Sequence, residues 1–246
     1  MRVATWNVES LRRLTPEREV AFHKAMAGVD ADVWVLTETW KNFSPGTGYQ
    51  LLTQSHKAAD LNRWPERCWV SIWAKSSLVG TPQAIRCQPD RMVCCRIELT
   101  GQKDMVVVGT VLPWSSDELW PGADGFCASL AGQAEEWGSL RGDPSGCTFV
   151  VAGDFNHSVP FERWYGFTKG EEPLNVALKE LDLLCVTQGK CPLTGKPRID
   201  HICISRSSLD LNRLPQVGGW AIPSVNGKPV TDHSGVYFDF DTKLLP

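Results

Sequence analysis

The sequence predicts an α/β protein in which two strand-rich sheets pack together with helices outside. Three observations carry that expectation. Strand-like apolar runs outnumber helical ones by more than two to one. Several runs are apolar at almost every position, as in sheets covered on both faces. The runs also do not alternate with helices, so a simple β-α wind does not fit. The 246 residues are 42% hydrophobic and 22% charged, the balance of a folded protein. No repeat, low-complexity tract or Gly/Ser linker divides them, so residues 1–246 read as one domain. That is long enough for a core needing no disulfide or metal staple.

The elements follow in order. Residues 2–8 open the chain as a strand. Thr15 as N-cap with Pro16 at the first helical position starts a helix, and Gly28 closes it. Its apolar face is Ala21, Phe22, Ala25, Met26 and Val29. Residues 32–37 are a second strand, and the stretch Ser44-Pro45-Gly46-Thr47-Gly48 is a loop. Strands are expected at 68–74, 92–99 and 105–112, then a helix at 126–140. A turn at 142–146 leads to a strand at 147–152. A helix at 174–183 and strands at 201–204 and 235–240 complete the chain.

A net charge of −3 excludes a supercharged neutraliser of nucleic acid, but not an enzyme that touches one strand briefly. No apolar run approaches the ~20 residues of a membrane span, and Met1–Asn7 enters strand-like sequence without an apolar leader. Nine cysteines are an odd number, Cys94 adjoins Cys95, and no pair has C-x-x-C spacing. A reducing cytoplasm is the plain expectation.

Five apolar runs end in polar groups: Thr5-Trp6-Asn7-Val8-Glu9, Val35-Leu36-Thr37-Glu38, Gly153-Asp154-Phe155-Asn156-His157, Arg198-Ile199-Asp200-His201 and Thr231-Asp232-His233-Ser234. A charge at the end of a buried strand is costly unless it is paired or meets a cation, so five such endings ask for a shared site. Carboxylates, amides and imidazole without thiolate suit a hard cation, Mg²⁺ or Mn²⁺, rather than zinc. Carboxylates left over are free for proton work, and a His oriented by an Asp supplies positive charge to a phosphorane. This inventory is that of phosphoester hydrolysis. The motifs of zinc proteases (H-E-x-x-H) and Walker-type NTPases are absent.

The ordered set W-N…E…G-D-F-N…I-D-H-I…T-D-H-S resembles the endonuclease/exonuclease/phosphatase (DNase I-like) superfamily from Thr5 to His233. The resemblance implies a four-layer α/β sandwich, two face-to-face mixed β-sheets flanked by helices. It implies Glu38 as principal metal ligand, Asn7 as organiser of the metal site, Asp232 as a helper and Glu9 as an inner or outer neighbour of the metal. It implies Asp154 as the group that orients and deprotonates water and Asn156 as the stabiliser of the phosphorane. His233 would contact the scissile phosphate, with Asp200 fixing its tautomer. One position departs from the pattern. Many members carry a Tyr or His, followed closely by Pro, after the strand at 105–112, and here Val111 stands there. Thr110, Trp114 or Ser115 would substitute, or the activity is weakened or redirected.

The first functional reading is a metal-dependent nuclease, with a single strand among its candidate substrates. The alternatives are a phosphatase or phosphodiesterase of a small molecule, inositol or lipid headgroup, and a catalytically silent binding domain. Asp200 and His201 alternate faces, so only one enters the site; Asp200 is chosen, and His201 reads as structural. His157 reads as an ordinary surface histidine. Arg198 either braces Asp200 or is solvated. Trp6, Trp34, Trp69 and Trp73 read as core aromatics, whereas Trp64, Trp114, Trp120 and Trp164 are candidates to line a groove, stacking a base or packing on prolines. Arg12, Arg13, Lys41, Arg63 and Arg67 are candidates for a positive rim.

Overall fold

Val33 and Val35 leave their strand on one face, Trp34 and Leu36 on the other, and all four are fully buried. The valines join a core shared by two sheets, and Trp34 and Leu36 pack with Phe22 and Met26 of a helix. In the second sheet Val150 and Ala152 face the same shared core, while Phe149 and Val151 pack with Phe126, Leu130 and Trp137. Both sheets are therefore covered twice, which is why their strands read as continuous apolar runs.

The computed structural model describes residues 1–10, 12–56, 66–142, 146–162, 164–209 and 216–239. One six-stranded sheet runs β11 (Gln216–Gly219), β14 (Val236–Asp239), β1 (Arg2–Asn7), β2 (Val33–Trp40), β4 (Arg67–Lys75), β3 (Tyr49–Gln54). The other runs β5 (Val79–Gln83), β6 (Met92–Glu98), β7 (Met105–Val111), β8 (Thr148–Asp154), β10 (Asp200–Ser205), β9 (Leu183–Cys185). Both are mixed, since β1 and β2 pair in parallel, as do β7 and β8, beside antiparallel neighbours. A small ribbon pairs β12 (Ser224–Val225) with β13 (Lys228–Pro229). Helix α1 (Pro16–Val29) covers the first sheet; α2 (Gly122–Arg141) and α3 (Thr168–Glu180) cover the second. The four expected layers are all present.

Several boundaries differ from expectation. Helix α1 passes through Gly28, and Asp30 ends it in the left-handed conformation, φ 49°; a short polar side chain tolerates that backbone. Helix α2 starts at Gly122, ahead of the apolar face that marked it at 126. Helix α3 ends at Glu180, and Leu183 belongs to β9, separated from the helix by the left-handed Asp182. Strands β3, β5 and β11–β13 are half-buried or exposed and carry no continuous apolar run. They had no signal to read. Phe240, Arg63 and Trp64 lie outside the described residues, as do residues 143–145 of the turn expected at 142–146.

Gly153 directly precedes the aspartate that ends β8. It has φ +143°, and a Cβ there would sit 1.9 Å from the Thr110 carbonyl oxygen of β7. Backbone cannot yield as a side-chain end can. Gly153→Ala should therefore destabilise the protein by roughly 1–3 kcal/mol in urea unfolding. An unchanged unfolding midpoint would contradict this packing.

Candidate active site

Asn7 ends β1, Asp154 ends β8 and Asp200 begins β10, directly opposite Asp154 in the ladder. By strand alternation all three share the inter-sheet face with Val3, Val150 and Ile202. The site thus lies at one end of the sandwich, between the sheets. Alternation would send Glu38 the other way, with Leu36 and Trp34 toward α1. The backbone of Glu38 is left-handed, φ 44°, and its carboxylate instead meets Asn7. A non-glycine residue held so within a strand is strained, and strain of this kind gathers at functional sites.

Three site-bearing turns close in the same way. The Asn7 side-chain oxygen accepts from Glu9 N at 2.8 Å, and Asp154 Oδ1 accepts from Asn156 N at 2.8 Å. Thr231 Oγ1 accepts from His233 N at 3.2 Å. In each a short polar side chain caps the amide two residues on, the local habit of Asn, Asp and Thr. Glu9 and Asn156 are left-handed as a result. Thr231 also donates to the Asn7 carbonyl at 2.9 Å and so ties the last block to the first. Its role was invisible in sequence, because only the fold brings it to β1.

Asn7 Nδ2 donates to both Glu38 Oε1 and Asp154 Oδ2, each at 2.9 Å. Its two N–H groups are spent on joining two carboxylates from different sheets. His233 Nδ1 donates to Asp200 Oδ2 at 2.6 Å. One oxygen or nitrogen from each of Asp154, Asp200 and His233 lies within 4.8 Å of the others. Asn156 Nδ2 gives one N–H to the Leu112 carbonyl at 2.8 Å, leaving a second.

The charges are held out of balance. Burial raises Asp154 to about 7, helped by Asp200 and Glu38 and opposed by His233. Burial also raises Glu38, against the Asn7 hydrogen bond that lowers it. Burial alone would lower His233, but Asp200 and then Asp154 outweigh it and hold the imidazole well above its ordinary value. Asp200 Oδ1 is buried with no hydrogen-bond partner among the described residues. Buried anionic oxygens short of donors are what a hard cation satisfies.

The remaining candidates divide. Asp232 stands at the mouth, its side chain 65% exposed, with Oδ1 3.7 Å from His233 Nε2. Glu9 Oε1 pairs with Arg12 at 2.7 Å, and its Oε2 accepts from Asp232 N at 3.2 Å. Arg198 lines the cavity beside Asp200 and His233 and donates to the Thr187 carbonyl at 3.2 Å, not to Asp200. Trp114 lies outside that cavity, ring against Trp69 at 5.3 Å and under the Arg91 guanidinium, and Ser115 beside it is exposed. Thr110 bonds Gln133 of α2, and Val111 is fully buried in the shared core.

His157 is not a surface residue. It is buried, its ring nitrogens bonded to the carbonyls of Ser158 and Phe167, stacked on Phe126. His201 is buried away from the site, on the face of Cys185, with Nε2 on the His157 carbonyl. Trp164 and Tyr165 line the cavity. Sequence marked Trp164 and passed over Tyr165; its only signal was a place in the aromatic stretch after Asn156.

Two mixed sheets packed face to face with helices outside define a class of fold with many solved representatives. D. rerio TDP2 humanized by 14 mutations superposes with a TM-score of 0.66 at 13% identity, covering 98% of this chain and 99% of that one. An AP endonuclease from Archaeoglobus fulgidus gives 0.66 at 16%, covering 98% and 99%. The endonuclease domain of TRAS1, a telomere-specific non-LTR retrotransposon, gives 0.62 at 18%, covering 98% of each chain. Among curated proteins none matches the sequence. The pattern of the endonuclease/exonuclease/phosphatase family matches residues 4–233, and the chain belongs to that family.

Proposed function

We propose that this chain is a divalent-metal-dependent phosphodiester hydrolase acting on nucleic acid, with a single strand as its preferred form. The observation that carries the reading is the convergence of Asp154, Asp200 and His233 from distant sequence positions to within 4.8 Å, with Asn7 joining Asp154 to Glu38. Oxygen-rich donors, and an Asp200 Oδ1 with no partner among the described residues, suit Mg²⁺ or Mn²⁺. Glu38 would hold the cation, with Asp232 at the mouth; Asn7 and Glu9 would position rather than ligate, since their polar atoms are engaged. When bound, the cation supplies positive charge to the phosphate oxygens.

The chain's own groups supply the rest. Asp154, raised to about 7, is matched to taking a proton from water near neutral pH. Asp200 fixes His233 so that Nε2–H faces the cavity and carries positive charge to the phosphorane. The second N–H of Asn156 reaches the same charge. The exposed ring of Trp164, with Lys196 Nζ 5.4 Å from its centroid, supports a base-stacking contact with an unpaired nucleotide. Arg198 beside it supports phosphate binding. The nine free cysteines support a reducing, cytoplasmic setting, and no helix among the described residues is long and apolar enough to cross a membrane.

The test is a panel of single-stranded, duplex and abasic oligonucleotides beside inositol phosphates, each with Mg²⁺, Mn²⁺ or EDTA. Oligonucleotide cleavage with metal and none with EDTA is expected. Cleavage of inositol phosphates alone, or of nothing, would overturn the reading. Glu38→Ala should raise the metal concentration for half-maximal rate by about tenfold or more; an unchanged titration would remove Glu38 from the metal site.

A further inference from the structure

We propose that Tyr165 is a catalytic residue whose hydroxyl holds a non-bridging oxygen of the scissile phosphate, supplying a donor that the end of β7 cannot. The proposal rests on the phosphodiester reading above and assigns a group to that same site.

A count of donors motivates it. A phosphorane gathers negative charge in a centre already holding Glu38, Asp154, Asp200 and Asp232, so hydrogen-bond donors decide whether it is stabilised. Asn7 has none left. Asn156 has one, His233 has Nε2–H, and Arg198 at the cavity wall keeps N–H groups beyond the one on the Thr187 carbonyl. In the ladder the neighbour of Asp154 on β7 is Val111, which offers no donor and is sealed in the core. Thr110 is committed to Gln133, and Trp114 is held by Trp69 and Arg91. Ser115, just beyond, does not line the cavity that holds Asp200 and His233, so the end of β7 gives the reacting phosphate no side-chain hydrogen bond.

Tyr165 fills that deficit from a different element, the loop between β8 and α3. It lines a cavity of about 320 Å³ together with Asp200, Asp232 and His233. Its hydroxyl makes no hydrogen bond to any described residue. The loop is anchored: Tyr165 N meets the Glu162 carbonyl at 3.4 Å, Glu162 N bonds Ser158 Oγ at 2.8 Å, and the adjacent Trp164 ring lies 6.0 Å from the Tyr165 ring. Burial pushes the phenol up to about 12, with Asp154, Glu38, Asp232 and Asp200 adding to it. A phenol is protonated near neutral pH in any case, and toward an anionic oxygen it can only donate.

The experiment compares wild type, Tyr165→Phe and Asp154→Asn on a phosphodiester oligonucleotide and on its two phosphorothioate diastereomers. Phe keeps the ring and removes only the hydroxyl. Wild-type turnover that Asp154→Asn abolishes secures the underlying reading; its absence would sink that reading, whatever Tyr165 does. Given turnover, Tyr165→Phe should lower kcat on the order of 10²-fold, with KM and the metal titration little changed. Sulfur accepts hydrogen bonds weakly, so the diastereomer that places it against Tyr165 should be penalised in wild type and lose that penalty in Tyr165→Phe. A kcat within about twofold of wild type, well below the 10²-fold loss of an oxyanion donor, would overturn the proposal. So would a lowered kcat with both sulfur penalties intact, since that marks a structural effect alone.

Discussion

Asp154→Asn is expected to lower phosphodiester turnover on the order of 10³-fold or more, the scale of a lost proton acceptor, while the fold survives. The amide matches the carboxyl in size, but it cannot take a proton from water. It can also present only one oxygen to the two donors, Asn7 Nδ2 and Asn156 N, that now hold Asp154. The stability signature should run opposite to the activity. Asp154 is raised from 3.8 to about 7 in the folded protein, so between those values the native chain holds a proton that the unfolded chain has released. Stability from this group is full below pH 4 and falls as pH rises toward 7. The asparagine variant lacks that fall. In metal-free buffer its melting temperature should equal or exceed wild type at pH 8 and lose the advantage at pH 5. A variant that melts lower at pH 8, or turns over at more than about a tenth of the wild-type rate against the 10²–10⁴-fold loss expected for a general base, would show that Asp154 is not the buried proton acceptor.

The same tension explains what could be read from the sequence. Polar and charged groups at the ends of apolar strands are visible because they break a strong pattern, and that is what marks Asn7, Glu38, Asp154, Asp200 and His233 as candidates. The double covering of Val33–Trp40 and Thr148–Asp154 was legible for the same reason. What stayed hidden depends on neighbours that only the fold supplies. His157 follows Asn156 in what reads as a polar turn, yet the loop folds back and buries it against Phe126 and Phe161. The edge strands lack apolar runs because they face solvent. Glu38 was found for its charge, but its left-handed backbone was not, since no residue type announces it. Tyr165 was missed because one phenol in an aromatic loop has no period and no motif. Its meaning comes from the carboxylates around it.

Asp200→Asn should move the whole pH–rate profile to lower pH and cost on the order of 10²–10³-fold in rate at pH 8. Asp200 Oδ2 accepts from His233 Nδ1 at 2.6 Å, and with Asp154 it outweighs burial to keep the imidazole protonated well above its ordinary value. A raised histidine contributes stability that is complete below 6.5 and disappears as pH rises through the folded value. Remove the carboxylate, and burial lowers the imidazole, so the positive charge on Nε2 is lost at a lower pH. That shifts the basic limb down. The acidic limb moves with it, because Asp200 is also the largest neighbouring charge raising Asp154, and without it Asp154 ionises sooner. A structural defect would instead lower the rate evenly at every pH. If rate falls in the asparagine variant while both limbs stay in place, then Asp200 braces the loop at His233 rather than its charge. The imidazole would then have to be held protonated by Asp154 and Asp232.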